Sequence, residues 1–135
     1  MRFLALLSIA ACALTPHAAM ADVPIEGNWM NPHGSVMVTT GACRGGLCGW
    51  VRWADDQALA DAADAGVAHL VGTELLQDYH ARGPGQWEGR VYVPDMGRSF
   101  SSVIRQIDPN RLKISGCLLG TWMCKSQIWT RHQAG

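Results

Sequence analysis

The sequence predicts an all-β fold, an up-and-down antiparallel barrel of about eight strands with one short helix; a β-sandwich is the alternative. Three observations predict it. Short runs of alternating apolar and polar residues recur along the chain, separated by clusters of glycine, proline, asparagine and aspartate. One stretch, Trp87 to Phe100 (WEGRVYVPDMGRSF), reads as a complete β-hairpin. Only the segment from Asp55 to Ala65 has the composition of a helix, so the crossovers that a parallel sheet needs are missing. Consecutive hairpins that close on themselves also remove exposed sheet edges.

The hairpin turns at Pro94-Asp95-Met96-Gly97. Proline presets φ, aspartate can bond its own backbone, and glycine accepts the dihedrals needed at the exit. A four-residue turn here pairs Val93 with Arg98, Val91 with Phe100, Gly89 with Ser102 and Trp87 with Ile104. That face is mostly apolar, while Glu88, Arg90, Tyr92, Ser99 and Ser101 fill the other.

The chain begins with Met1-Arg2, an apolar run from Phe3 to Leu14 too short to span a membrane, and Ala19-Met20-Ala21, a small-x-small cleavage pattern. This predicts a signal peptide over residues 1–21 and a single barrel domain over residues 22–135. Cys12 follows Ile9-Ala10-Ala11, a loose lipobox, so lipoprotein processing at Cys12 is a rival reading. Either way the protein is expected in the periplasm or secreted. Without Arg2, ten Lys and Arg face eleven Asp and Glu. That balance gives no basic footprint for nucleic acid, and no second hydrophobic segment suggests an integral membrane protein.

Ile25 to Met30 begins the first strand, and Asn31-Pro32-His33-Gly34 turns the chain into a second over Ser35 to Thr40. Leu47 to Trp53 is a third, after a loop containing Cys43 and Gly45-Gly46. Asp55 to Ala65 (DDQALADAADA) is alanine-rich, opens on aspartates fit to cap a helix and stops at Gly66. Its aspartates read as a solvated face, since the alternating oxygens of a calcium loop are missing. Ala68 to Tyr79 returns to strand, with a kink or bulge expected at Gly72. Ala81 to Gly85 is a loop. The hairpin's second strand continues to Ile107, and strands over Arg111–Gly116 and Cys124–Arg131 complete the set.

Beyond the leader, the cysteines are Cys43, Cys48, Cys117 and Cys124. An even number in a small exported domain reads as two disulfides, and the pairing Cys43–Cys48 with Cys117–Cys124 brackets two short loops. Directly opposed cysteines would set Val38 against Trp53, Thr40 against Val51, Ile114 against Gln127 and Leu112 against Trp129. Zinc is the alternative, but the spacings C-x4-C and C-x6-C are loose and no histidine completes a set.

No nucleophile elbow, paired carboxylates, histidine ligand spacing or phosphate-binding glycine loop is present, which argues against an enzyme and calls for no cofactor. His33, His69, His80 and His132 read as surface histidines. Of six tryptophans, Trp29, Trp53, Trp87 and Trp129 fall on the expected inner face, Trp50 on the outer one and Trp122 in the last loop. They either fill the barrel or line a pocket.

Trp87, Gly89, Tyr92, Pro94 and Gly97 of the hairpin resemble the signature of a family of small exported bacterial proteins, domain of unknown function 2147. Gly27-x-Trp29, Cys48-Gly49, Gly116-Cys117 and Gln127-x-Trp129-Thr130-Arg131 fit the same pattern across nearly the whole mature chain. Phe100 departs from it, standing where tyrosine is expected, as does the alanine-rich helical segment. A broader resemblance links Gly27-x-Trp29 and Arg131 to lipocalin-type (calycin) barrels, and it implies that Arg131 packs across Trp29 and closes one barrel end. It also implies a small apolar ligand. Trp87, Phe100, Gln127 and Trp129 are the expected lining. The competing expectation is a cell-envelope interaction or structural module with a filled barrel, favoured if Trp50 and Tyr92 are exposed.

Overall fold

Among the described residues, eight strands and one α-helix form near where the turn chemistry and alternation place them, with the bounds of the second and fourth strands shifted. They are β1 (Gly27–Met30), β2 (Val36–Cys43), β3 (Gly46–Ala54), α1 (Asp56–Asp64), β4 (Glu74–Gly83), β5 (Gln86–Val93), β6 (Arg98–Asp108), β7 (Arg111–Leu118) and β8 (Met123–Arg131). The structure is a computed structural model that describes residues 11–13, 24–118 and 123–133. The expected cleavage site at Ala19-Met20-Ala21 and Trp122 lie outside the described residues, and Cys12 carries a free, exposed thiol. Each strand pairs antiparallel with the next, and β1 pairs with β8, so the sheet closes into a barrel. Among the described residues, no helix is long and apolar enough to cross a membrane.

The β5–β6 hairpin has the register its turn dictates: Val93 opposite Arg98, Val91 opposite Phe100, Gly89 opposite Ser102 and Trp87 opposite Ile104. The turn is one 3-10 helical turn, Pro94–Met96, left through Gly97 at φ 61°. In β7–β8, Cys117 faces Cys124, Ile114 faces Gln127 and Leu112 faces Trp129, and the disulfide Cys117–Cys124 ties the pair together. The helix is capped by the Asp55 carboxylate, which accepts from the Ala58 amide at 2.8 Å, and it packs the buried Ala62 on the core.

The β2–β3 register differs from the expected one. A two-residue turn at Arg44 (φ 40°) and Gly45 (φ 77°) places Cys43 opposite Gly46 and Cys48 opposite Gly41. The disulfide Cys43–Cys48 therefore joins diagonal neighbours on the outer face. A register shift between Met37 and Val38 then sets Val38 against Val51 and Met37 against Trp53. Trp53 is consequently outside the barrel and 43% exposed, not on the inner face.

β4 also departs from expectation. It starts at Glu74, because residues up to Thr73 form a turn through Gly72 (φ 95°) whose amide donates to the Val51 carbonyl at 2.7 Å. The irregularity expected at Gly72 lies instead at Asp78 (φ 51°), where the register with β5 slips between Gln77 and His80. The strand continues to Gly83, which shortens the loop expected over Ala81 to Gly85.

One end of the barrel is shut by side chains. The Arg131 guanidinium lies 4.3 Å from the centroid of the Trp29 ring and donates to the carbonyls of Pro109 (2.8 Å), Glu26 (3.0 Å) and Pro24 (2.7 Å). Gly27 is required there, because a Cβ would sit 2.5 Å from an Arg131 nitrogen. The Trp29 indole donates to the Ile25 carbonyl at 2.9 Å and to the Thr40 hydroxyl at 3.2 Å, so this buried ring is fully satisfied.

Candidate functional site: a cavity at the mouth of the barrel

From the shut end upward, the interior is solid. Trp29, Val38, Val51, Leu76, Tyr79, Ile104 and Leu112 are essentially without solvent contact. The gap left by Gly89 opposite Ser102 is filled by Tyr79. A Cβ on Gly89 would come 2.7 Å from the Tyr79 ring carbon Cγ and 2.7 Å from the Gln77 carbonyl oxygen. The bulge at Asp78 delivers Tyr79 to that place. Ser102 lies beside the phenol but donates its own proton to the Ser115 carbonyl at 2.7 Å. The Tyr79 hydroxyl is buried with no hydrogen bond of good geometry among the described residues, and burial, partly offset by the neighbouring Ser102 hydroxyl, pushes its pKa well above the ordinary tyrosine range.

Above this plug the barrel is open. A cavity of about 530 Å³ lies at the end bearing the β1–β2 turn, α1 and the Pro94–Gly97 turn. Val36, Leu75, Val91, Phe100, Ile114 and Trp129 form its apolar wall. Ala58 and Ala62 of α1 line one side, and α1 also touches the Pro94–Met96 turn. Polar groups come from His33, Asp61, Asp95, Lys125 and Gln127.

Three of the residues expected to line a pocket, Phe100, Gln127 and Trp129, border this cavity; Trp87 does not. Trp87 is half-buried opposite Ile104 and packs on the core, because the hairpin register carries it towards the shut end. Gln127 is exposed, not buried as the alternation implied, and its Oε1 accepts from the Trp129 Nε1 at 2.9 Å. The residues missed by the sequence reading are those of α1 and the turns, together with Lys125. Lys125 was detectable, since it shares the inward phase of β8 with Gln127 and Trp129 and faces Gly116.

A second cluster, Cys43, Cys48, Glu74 and Asp78, brings metal-type ligands together on the outer face. Its two sulfurs are bonded to each other, and its two carboxylates hold Arg44, which lies over the disulfide. That arrangement is an ion-pair cover for a buried disulfide, and the bonded sulfurs cannot act as thiolate ligands.

The family described as an uncharacterized protein conserved in bacteria (DUF2147) matches residues 27–131. No curated protein matches the chain. Among solved structures, the barrel is similar to a Helicobacter pylori protein reported to belong to the lipocalin family, with a TM-score of 0.60 and 12% sequence identity over 83% of this chain and 85% of that one. At that identity the likeness is one of fold, and it agrees with the closed eight-stranded barrel. The match over residues 27–131 takes in all eight strands, and the chain belongs to the DUF2147 family.

Proposed function

We propose that this protein is an exported, non-enzymatic barrel that binds a small, mostly apolar ligand in the cavity at its mouth. The observation that carries this reading is the division of the interior into a solid lower half and a cavity of about 530 Å³ above it, walled by aliphatic and aromatic side chains. Ligand pockets commonly have this size and this mix of apolar wall and few polar groups. Two disulfides fit an oxidising, extracytoplasmic location, in line with the leader-like first 21 residues. The competing module with a working outer surface drew on exposed Trp50 and Tyr92, but both are half-buried.

The test is titration with the neutral apolar dye N-phenyl-1-naphthylamine, following dye emission and tryptophan quenching. Saturable binding is expected, and Gly116→Phe should abolish it. A Cβ at position 116 has ordinary clearance, 3.4 Å to Val91 Cγ1 and 3.9 Å to the Ser101 carbonyl, so the added ring can grow into the cavity without breaking the wall. Absence of saturable binding by the natural protein, or undiminished binding by a folded Gly116→Phe variant, would sink the reading.

A further inference from the structure

The inner face of β8 carries a polar ladder that an apolar cavity does not need. Trp129, Gln127 and Lys125 occupy successive inward positions, and all three border the cavity. Over the four residue steps from Trp129 to Lys125 the strand rises roughly 13 Å from the deep wall to the mouth. An indole N–H can only donate, so its bond to Gln127 fixes the amide with oxygen towards Trp129 and leaves the NH2 group as the free end. Lys125 projects opposite Gly116, whose missing side chain leaves room, and it has no carboxylate partner among the described residues. Both polar groups offered by the wall are therefore hydrogen-bond donors, one of them a cation. The carboxylates at the site, Asp61 and Asp95, belong to the helix and the β5–β6 turn, not to the β8 wall.

We propose that the cavity takes an amphiphile with a single anionic head, seated between the Lys125 ammonium and the Gln127 amide. Its apolar body runs inward past Ile114 and Phe100 to Trp129. This rests on the reading of the cavity as a ligand site and adds the headgroup class to it. A carboxylate or a phosphate monoester supplies the acceptor oxygens that these donors lack. An alcohol of the same length can accept only weakly, and an amine repels Lys125.

Calorimetric titration of the full chain with dodecanoate, dodecyl phosphate, dodecanol and dodecylamine, each below its micelle concentration, tests this. The two acids should bind about tenfold more tightly than the alcohol, and the amine most weakly. Lys125→Gln should close most of the gap between acid and alcohol, and Lys125→Glu should reverse the order of acid and amine. Gln127→Leu should narrow the gap while sparing alcohol binding, which provides a second arm if the charge-reversed variant folds poorly. Equal binding of all four ligands by the natural protein would overturn the headgroup assignment and leave the apolar cavity reading intact. No binding of any of them would count against the cavity itself. An acid preference that survives in both Lys125→Gln and Gln127→Leu would place the head elsewhere and refute this site.

Discussion

Replacing Arg131 by methionine should destabilise the barrel by about 2–5 kcal/mol. The variant loses three hydrogen bonds to carbonyl groups, those of Pro109, Glu26 and Pro24. Two of them lie at exposed positions, so each is worth about 0.5–1 kcal/mol, near the low end for net hydrogen bonds. The guanidinium at 4.3 Å from the Trp29 centroid adds about 0.5–2 kcal/mol, because one side of the contact is the fully buried ring. Methionine is long and apolar enough to keep covering that ring, so little cavity cost is added. Arg131→Lys should fall between the two proteins, since an ammonium keeps the charge but lacks the planar fork that reaches three carbonyls at once. Equilibrium unfolding in guanidinium chloride, with the disulfides intact, measures this as a lower midpoint at unchanged slope. A methionine variant within about 0.5 kcal/mol of the natural protein would refute the idea that this side chain holds the end shut.

Gly89→Ala should cost about 2–4 kcal/mol, because its Cβ meets the Gln77 carbonyl at 2.7 Å and the Tyr79 Cα at 2.8 Å, backbone atoms that cannot step aside; urea midpoints would show it. Tyr79→Phe should be neutral or stabilising by up to about 1–2 kcal/mol, since it removes a buried hydroxyl that lacks a hydrogen bond of good geometry; a clear loss of stability would mean that the hydroxyl is satisfied. The same variant has a pH signature. The folded pKa of Tyr79 is raised, so above the unfolded value of about 10 the unfolded chain releases a proton that the folded one retains, and stability falls as pH rises. Unfolding midpoints between about pH 9 and 11 should drop more steeply for the natural protein than for Tyr79→Phe. Asp55→Ala should cost about 1 kcal/mol through the lost helix cap, and it should change dye binding at the mouth more than it changes the unfolding midpoint.

The parts of the fold legible in the sequence were those in which local chemistry fixes register. Pro94-Asp95-Met96-Gly97 leaves one way to close the β5–β6 hairpin, and opposed Cys117 and Cys124 fix β7 on β8. The β2–β3 pair misled because a disulfide also fits diagonal positions, and the left-handed Arg44-Gly45 turn selects that arrangement. Gly45 was a visible signal; an arginine at φ 40° was not. Tyr79 as the filler of the Gly89 gap depends on a bulge at Asp78, and aspartate tolerates positive φ without announcing it. The candidate site was half readable. Strand alternation pointed to Phe100, Gln127 and Trp129, but the cavity also needs α1 and two turns, whose placement over the mouth is set by tertiary packing.

The buried tier that includes Tyr79 divides the interior into two storeys that answer to different demands. Below it, nearly every side chain is committed to a neighbour, so substitutions there are judged by the folding equilibrium. Above it, exchanging Phe100, Ile114 or Lys125 should alter what the cavity accepts while the seam between β1 and β8, at Trp29–Arg131 and Met30–Thr130, stays untouched. A barrel built this way can drift in specificity without first gaining spare stability, and variant libraries confined to the upper storey should yield mostly folded proteins with changed ligand preferences.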